Sequence, residues 1–400
     1  MDKLLIILPA LPFPERLNGF NIRYYSILKM LSKRYILDGI VILSEGKVDD
    51  VALAEVSGFF HSLEIIDDTE KSISSRRRLH AVASFLNPFS IPHAMFSYHA
   101  KENAKYIYDR FQEHSYHRII FATAKNAHEL RYLLKMGLPG NRVCIDFIDS
   151  LSLIKSRYVS NFNILELLDF YKIRRWELWL LSVCGSSAYI SNKDKEHVQR
   201  YLNKDIDIKV APNGIKINDY HTRSIDESVL SIGFLGNMSY PPNITGAKWV
   251  FEVFKEYKSQ YGDLKYYIIG RDPVTEIKEL ALHDGVMVTG TVDDIWEYVN
   301  TVDVFIIPLF EGAGQQNKLL EVMYAGRPVI ANEVANAGVQ GGDQKHLMLI
   351  ESKNSCLRAL AHLLSNIETR ESLGSAGKQF VEDKYSWDVS FEKYLDFING

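Results

Sequence analysis

Short apolar runs alternate with amphipathic stretches along the whole chain, and that alternation predicts its elements. LLIILPAL (4–11) is an apolar run that reads as a buried parallel strand. A loop containing Pro and Gly follows, then the helical spacing of NIRYYSILKMLSKR (21–34) and a second apolar run, ILDGIVIL (36–43). Strand, helix and strand in that order predict a parallel sheet with right-handed crossovers. RIIFATA (118–124), RVCIDFID (142–149) and SAYISN (187–192) predict further strands, with a helix over HELRYLLKMG (128–137) and one long helical region from Leu151 to Leu181.

Near KVAPNGIKIND (209–219) this first series stops and a second begins. LSIGFLGNMSYPPN (230–243) is strand and loop, KWVFEVFKEYK (248–258) a helix, KYYIIG (265–270) a strand. PVTEIKELALH, GVMVTG, DDIWEYVN, VDVFIIPL, NKLLEVMYAG and RPVIANE continue the alternation, and SWDVSFEKYLDFI (386–398) is an amphipathic helix with Ser386 as its N-cap. The expected fold class is therefore α/β, with two Rossmann-like, doubly wound domains: residues 1–208 and 209–384, followed by the helix in 385–400.

Composition narrows the function. At 400 residues the chain suits two domains; 46% hydrophobic and 24% charged residues are those of a globular protein. A net charge of −4 supplies no overall attraction to nucleic acid. Cys144, Cys184 and Cys356 are scattered without a CxxC pair, which argues against a disulfide framework or zinc site and for a reducing, cytoplasmic setting. No apolar window reaches the roughly 20 residues that span a bilayer. ILPALPFPERLNG lacks the GxGxxG of a dinucleotide-binding first strand, which disfavours a dehydrogenase.

The chemistry concentrates in PLFEGAGQQNKLLEVMYAGRPVIA (308–331). Ligands of open α/β sheets collect outside the carboxyl ends of the strands, where helix N-termini point their amides. Gly312 and Gly314 let a loop turn its amides inward, and the helix beginning near Gln316 adds roughly half an elementary charge. Lys318, on its first turn, can pair with a phosphate, and Glu321, one turn on, can accept hydrogen bonds from vicinal hydroxyls. Physically this is a cradle for a nucleoside diphosphate; a solvated Lys/Glu pair on a helix surface is the plainer alternative.

Asp146 and Asp149 close the strand VCIDFID; Asp146 reads as a helix cap and Asp149 as a carboxylate able to face a cleft as base or acceptor ligand. His128 follows the strand FATA and is a candidate for the same cleft. Arg23 reads as a solvated residue on a helix surface. KIRRWELWLL (172–181) and SSRRRLH (74–80) combine basic and aromatic or loop residues that could meet a membrane surface, or be a packed helix and a solvated charge run.

GFLGNMSYPPN (233–243), IIGRDP (268–273), VTGTVDDIWEYV (288–299), FIIPLFEGAGQQNKLLEVMYAGRPVIANE (305–333) and GKQFVEDKYSW (377–387) give the chain a resemblance to the retaining GT-B glycosyltransferases of family 4, and APNGI (211–215) resembles that family's approach to its second domain. The first half agrees more loosely, and the loop GNMSYPPN resembles a subgroup found in exopolysaccharide systems. The resemblance implies two domains facing across a cleft, with the C-terminal helix returning to the first. The donor nucleotide sugar would bind the second domain and the acceptor the first. Glu321 corresponds to the second glutamate of the family's Glu–seven residues–Glu pattern and would hold the ribose. The first glutamate falls at Ala313, where the carboxylate is missing; Glu311 would substitute if the loop rearranges. The Arg and Lys that many members carry after the first strand of this domain are absent from GNMSYPPN. Lys318, the amides of Gly314, Gln315 and Gln316, and Arg271 would then hold the phosphates. Asn237, Tyr240, Asn243 and Asn317 would lie near the donor, Thr291 and Val292 beside the base, and Gly19, unless a plain turn glycine, would approach the phosphate or acceptor.

The resemblance implies a transferase that moves a sugar from a nucleotide-diphosphate sugar to a glycan or polyprenyl-linked acceptor in bacterial surface polysaccharide synthesis. It would retain configuration and use neither metal nor cofactor, with Lys318 catalytic beside Asp149 or His128. A non-hydrolysing nucleotide-sugar epimerase and an inactive sugar-nucleotide-binding subunit are the alternatives. Acceptor specificity is expected from residues 45–117, which carry no recognised motif.

Overall fold

A computed structural model describes residues 1–400 apart from 16, 44–47, 69–86, 88, 93–94, 98, 158, 160–162, 217–229 and 312–313. The basic stretch 74–80 lies outside the described residues, as do Gly312 and Ala313. The chain forms two compact units, Met1–Pro212 with Phe391–Gly400, and Asn213–Ser390.

The first unit holds a seven-stranded parallel sheet of β1 (Lys3–Leu8), β2 (Ile36–Leu43), β3 (Ser62–Asp67), β4 (Arg118–Phe121), β5 (Val143–Ile148), β6 (Ser186–Tyr189) and β7 (Ile208–Val210). Its order is β3-β2-β1-β4-β5-β6-β7, so the chain winds outward from β1 in one direction and then, from β4, in the other. The reversal between β1 and β4 is where such sheets open a crevice at their carboxyl edge.

The second unit holds a six-stranded sheet of β8 (Ser231–Leu235), β9 (Lys265–Ile269), β10 (Val286–Val288), β11 (Val304–Ile307), β12 (Val329–Asn332) and β13 (Met348–Ile350), in the order β10-β9-β8-β11-β12-β13. The run VFII shows why these strands are apolar throughout. Val304 and Ile306 pack with Ile232, Phe234 and Ile268 on one face; Phe305 and Ile307 pack with Leu235, Leu319 and Val322 on the other. Side chains alternate along a strand, and helices cover both faces, so alternation in space leaves no polar alternation in sequence.

Three sequence expectations are corrected. The helical region after Leu151 is two helices, Leu151–Ser156 and Ile164–Val183. Gly19 is the first residue of the helix Gly19–Leu31 rather than a loop residue, and Asn18 caps that helix by accepting from the Asn21 amide at 2.9 Å. PVTEIKELALH gives only one turn of α-helix, Thr275–Lys278, followed by a 3-10 turn. Ser386 does cap the helix Trp387–Asn399, accepting from the Val389 amide at 3.3 Å. Within the first unit the end of that helix is fastened to the sheet: Ser186 Oγ of β6 donates to the Phe397 carbonyl at 2.6 Å.

Candidate functional site

All strands of the second sheet are parallel, so the loops leaving β8, β9, β11 and β12 gather at one edge, where they are tied to one another. The Gly236 amide donates to Ile269 O at 3.0 Å and the Met238 amide to Arg271 O at 2.9 Å, which runs the β8 and β9 loops side by side. Gly270 has φ +146° and lies against the Gly236 carbonyl, where a Cβ would collide with backbone. Gly236 in turn leaves room for Asn243, whose Nδ2 would be 2.7 Å from a Cβ there. At the other end of the site, Asn332 of β12 clamps the Leu309 backbone, accepting from its amide at 3.1 Å and donating to its carbonyl at 2.7 Å.

The helix Asn317–Tyr324 starts from this edge, with Leu319, Leu320, Val322 and Met323 buried beneath it and no side chain capping it at Gln316. Gly314, φ +69°, makes the preceding turn in a conformation glycine adopts without penalty. Gln315, expected to offer its backbone amide to the donor, has a structural use for its side chain. Its side chain is buried and grips the backbone of Asn213, accepting from the amide at 2.7 Å and donating to the carbonyl at 3.0 Å. Asn213 Nδ2 then donates to Asn317 Oδ1 at 3.3 Å. Gln315 and Asn317 therefore anchor Asn213 within the second unit.

Lys318 lies on the first turn of the helix Asn317–Tyr324. Its Nζ donates to Asn243 Oδ1 at 2.5 Å and lies 4.9 Å from the centroid of the Phe234 ring. Burial pulls its pKa down from 10.5 to about 7. Asn243 is 7% exposed and also donates from Nδ2 to Asn237 O at 2.8 Å, so one amide holds both the lysine and the loop after β8. Glu321 is half-buried one turn along the same helix. Around them, Tyr240 is exposed at the start of the helix Pro241–Tyr261, and Asn237 Oδ1 accepts from the Ser239 amide at 2.9 Å. Arg271 is half-buried, 3.6 Å from Asp272. Thr291 and Glu311 are exposed and Val292 is half-buried. The second unit thus brings together Asn237, Asn243, Lys318 and Glu321. Sequence reasoning passed over Thr289, whose Oγ1 accepts from the Gly270 amide at 3.2 Å and donates to Gly290 O at 2.9 Å, joining the β9 and β10 loops. Its place at the end of a strand was the available signal.

His128, Asp149 and Gly19 belong to the first unit. His128 is buried, accepts from the Ser97 amide at 3.0 Å and packs against Phe96 and Tyr132. Burial lowers its pKa to about 4, so it is a neutral imidazole inside the unit rather than a group exposed at a strand end. Asp149 follows β5, and burial, with Asp194 and Asp146 nearby, pushes its pKa up to about 7.

Arg23 and Asp146 overturn their sequence readings. Arg23 is fully buried; Nε and Nη2 donate to the two Asp146 oxygens at 2.8 and 3.0 Å, and Nη1 donates to Ala211 O at 2.9 Å. Tyr24 OH adds a 2.8 Å bond to the same carboxylate. Asp146 therefore balances a buried guanidinium, and the cap of the helix Leu151–Ser156 is Ser150, which accepts from the Leu153 amide at 3.2 Å. The aromatic stretch near 176 is also packed: Trp176 Nε1 donates to Ala124 O at 3.3 Å, and its ring stacks on Trp179 with centroids 4.9 Å apart. Among the described residues no helix is long and apolar enough to cross a membrane.

Two units of this topology define a class, the GT-B fold. The chain is similar over its whole length to sucrose-phosphate synthase of Thermosynechococcus elongatus, with TM-score 0.71, 13% identity and 98% of that chain covered. It is likewise similar to HepE of Anabaena, solved in complex with UDP-glucose, with TM-score 0.69, 13% identity and all of both chains covered. Residues 230–366 match the family model described as glycosyl transferases group 1, and the chain as a whole has the GT-B fold. An uncharacterized glycosyltransferase of Methanocaldococcus jannaschii is 26% identical over 227 residues, 51% of this chain and 56% of that protein. The chain spans about half the length of the curated relatives it matches.

Proposed function

We propose that the protein is a glycosyltransferase of family 4 that transfers a sugar, with retention, from a nucleotide-diphosphate sugar to a glycan or polyprenyl-linked acceptor in bacterial surface polysaccharide synthesis. The observation that carries this reading is Lys318. It is an amine drawn out of water beside a helix N-terminus and a glycine turn, against an amide and an aromatic ring. Such a group is under-solvated until an anion arrives, which suits a diphosphate. As the glycosidic bond breaks, charge grows on the leaving diphosphate, and the ammonium and helix-end amides stabilise it by preorganised electrostatics without a metal. Glu321 accepts from the ribose hydroxyls in this reading. Asn237 and Arg271, on the β8 and β9 loops, flank the donor, and Thr291 and Val292 lie by the base. The similarity to a protein solved with UDP-glucose supports a nucleotide-sugar donor.

Asp149 is the first unit's candidate for orienting the acceptor hydroxyl, because its raised pKa lets it take or share a proton near neutrality. In this reading the protein works in the cytoplasm at the inner face of the membrane. Contact with that surface comes from the start of the helix Ile164–Val183, where Ile164, Leu165, Leu167 and Tyr171 are exposed, rather than from the packed tryptophans. The test is turnover of a panel of nucleotide sugars with and without lipid-linked acceptors. Release of nucleotide that requires acceptor supports transfer; a C2-inverted nucleotide sugar formed without acceptor would show an epimerase instead.

A further inference from the structure

We propose that Asn243 is a positioning residue that holds Lys318 by its amide oxygen while the site is empty and yields it to the diphosphate, so that nucleotide binding takes up a proton from solvent. The inference rests on the donor-site reading above and deepens it.

Geometry sets the argument. Lys318 Nζ lies 2.5 Å from Asn243 Oδ1 and over the Phe234 ring. A neutral amide and a ring face satisfy one N–H and part of the charge, where water would satisfy all three donors. Strand β8 (SIGFL) brings no charged residue. The helix Pro241–Tyr261 carries its charges further on, at Lys248, Glu252, Lys255, Glu256 and Lys258, each in an ion pair of its own. The lysine's own helix, Asn317–Tyr324, carries one further charge, Glu321. Burial is the cause that acts on the amine, and it favours the neutral form, bringing the pKa to about 7.

Asn243 is suited to this role and a carboxylate would not be. Its Nδ2 is fixed on Asn237 O at 2.8 Å and its side chain fills the space left by Gly236, so Oδ1 faces the lysine. An amide oxygen accepts from an amine or an ammonium and releases either at low cost; a carboxylate would keep the ammonium charged and compete with phosphate for it. When a diphosphate enters, the free amine accepts one proton from solvent and the ammonium turns to the phosphate oxygens. The sign follows from linkage: if bound Lys318 has the higher pKa, affinity is pH-independent well below pH 7 and weakens as pH rises above about 7, by up to tenfold per unit. The terminal phosphate, with a second pKa of about 6, is already ionised over that range.

The experiment is calorimetric titration of the full chain with UDP and with GDP at pH 8, in buffers of different ionisation enthalpy. The expected result is uptake of close to one proton per nucleotide, falling toward zero at pH 6. In Asn243→Asp the uptake disappears, because the carboxylate already keeps Lys318 protonated, and the affinity loses its dependence on pH. Asn243→Ala weakens binding while keeping the uptake. Binding of nucleotide with no proton uptake by the wild-type protein overturns this inference and leaves the donor site standing; uptake unchanged in Asn243→Asp also overturns it. Failure of every nucleotide to bind overturns both.

Discussion

Lys318 Nζ and Asn243 Oδ1, 75 residues apart in sequence, lie 2.5 Å apart at the carboxyl edge of the second sheet. The contact joins the helix after β11 to the helix after β8. In the donor-site reading the same lysine is a strain on the empty protein and an asset to the filled one.

That double role is measurable with Lys318→Met. If the lysine serves the leaving diphosphate, kcat/KM falls by about 100- to 1,000-fold. The folded-state pKa of the amine is depressed to about 7 from 10.5, so its charge weighs against folding below pH 7 and the penalty fades as pH rises toward 10. Lys318→Met is therefore expected to melt at a higher temperature than wild type at pH 6, with the gap narrowing at pH 9. Thermal unfolding at the two pH values checks it; a variant that is less stable than wild type at pH 6 would contradict the account.

Glu321 sits one turn beyond Lys318 on the helix Asn317–Tyr324. In the donor reading its carboxylate accepts from the ribose. Glu321→Gln should weaken binding of the free nucleotide by about 10-fold, the scale of a charge-assisted hydrogen bond, with the melting temperature little changed. Equal weakening toward inorganic pyrophosphate would instead place Glu321 away from the sugar.

Arg23 and Asp146 form a fully buried pair, with Tyr24 and Ala211 completing their hydrogen bonds. Removing one member leaves a buried charge without its counterpart. Arg23→Met should cost about 3–5 kcal/mol in urea unfolding, and the double variant Arg23→Met, Asp146→Leu should recover a large part of that loss. A double variant as unstable as the sum of the singles would mean that the pair itself, not the orphaned charge, dominates.

The carboxyl of Asp149 is raised to about 7 from 3.8, chiefly by burial and then by Asp194. A carboxyl raised in the folded state favours folding fully below about pH 4, and that contribution is lost as pH rises through 7. Asp149→Asn should therefore remove part of the decline in stability between pH 4 and pH 8, gaining on wild type at the alkaline end. Melting curves at pH 4, 6 and 8 read this directly, and parallel curves would place the ionisation elsewhere.

Period and patterning made most of the architecture legible. ILDGIVIL is a strand at the residues expected, VDVFIIPL supplies β11, and NKLLEVMYAG begins its helix one residue after Gln316. These are local consequences: a strand buried on both faces must be apolar throughout, and a helix leaving the sheet must pack one stripe. Boundaries were less legible where chain direction changes, as after Leu151 and after Val274, because a break in a helix depends on what the following residues pack against.

The polar partners lay beyond that reach. Arg23 carries the same helical spacing whether it faces water or Asp146, 123 residues away, and Gln315 reads as a loop amide until Asn213 is folded onto it. Hydrophobic period states which side of its own element a residue occupies; it carries no information about which distant element will lie opposite. The chain's spacing of apolar runs and glycines was enough to require two parallel sheets with a charged helix start at one edge. Which amide meets Lys318, and which carboxylate meets Arg23, was settled by the packing of one crossover against another, since a polar side chain's partner is chosen by the three-dimensional neighbours it is buried with.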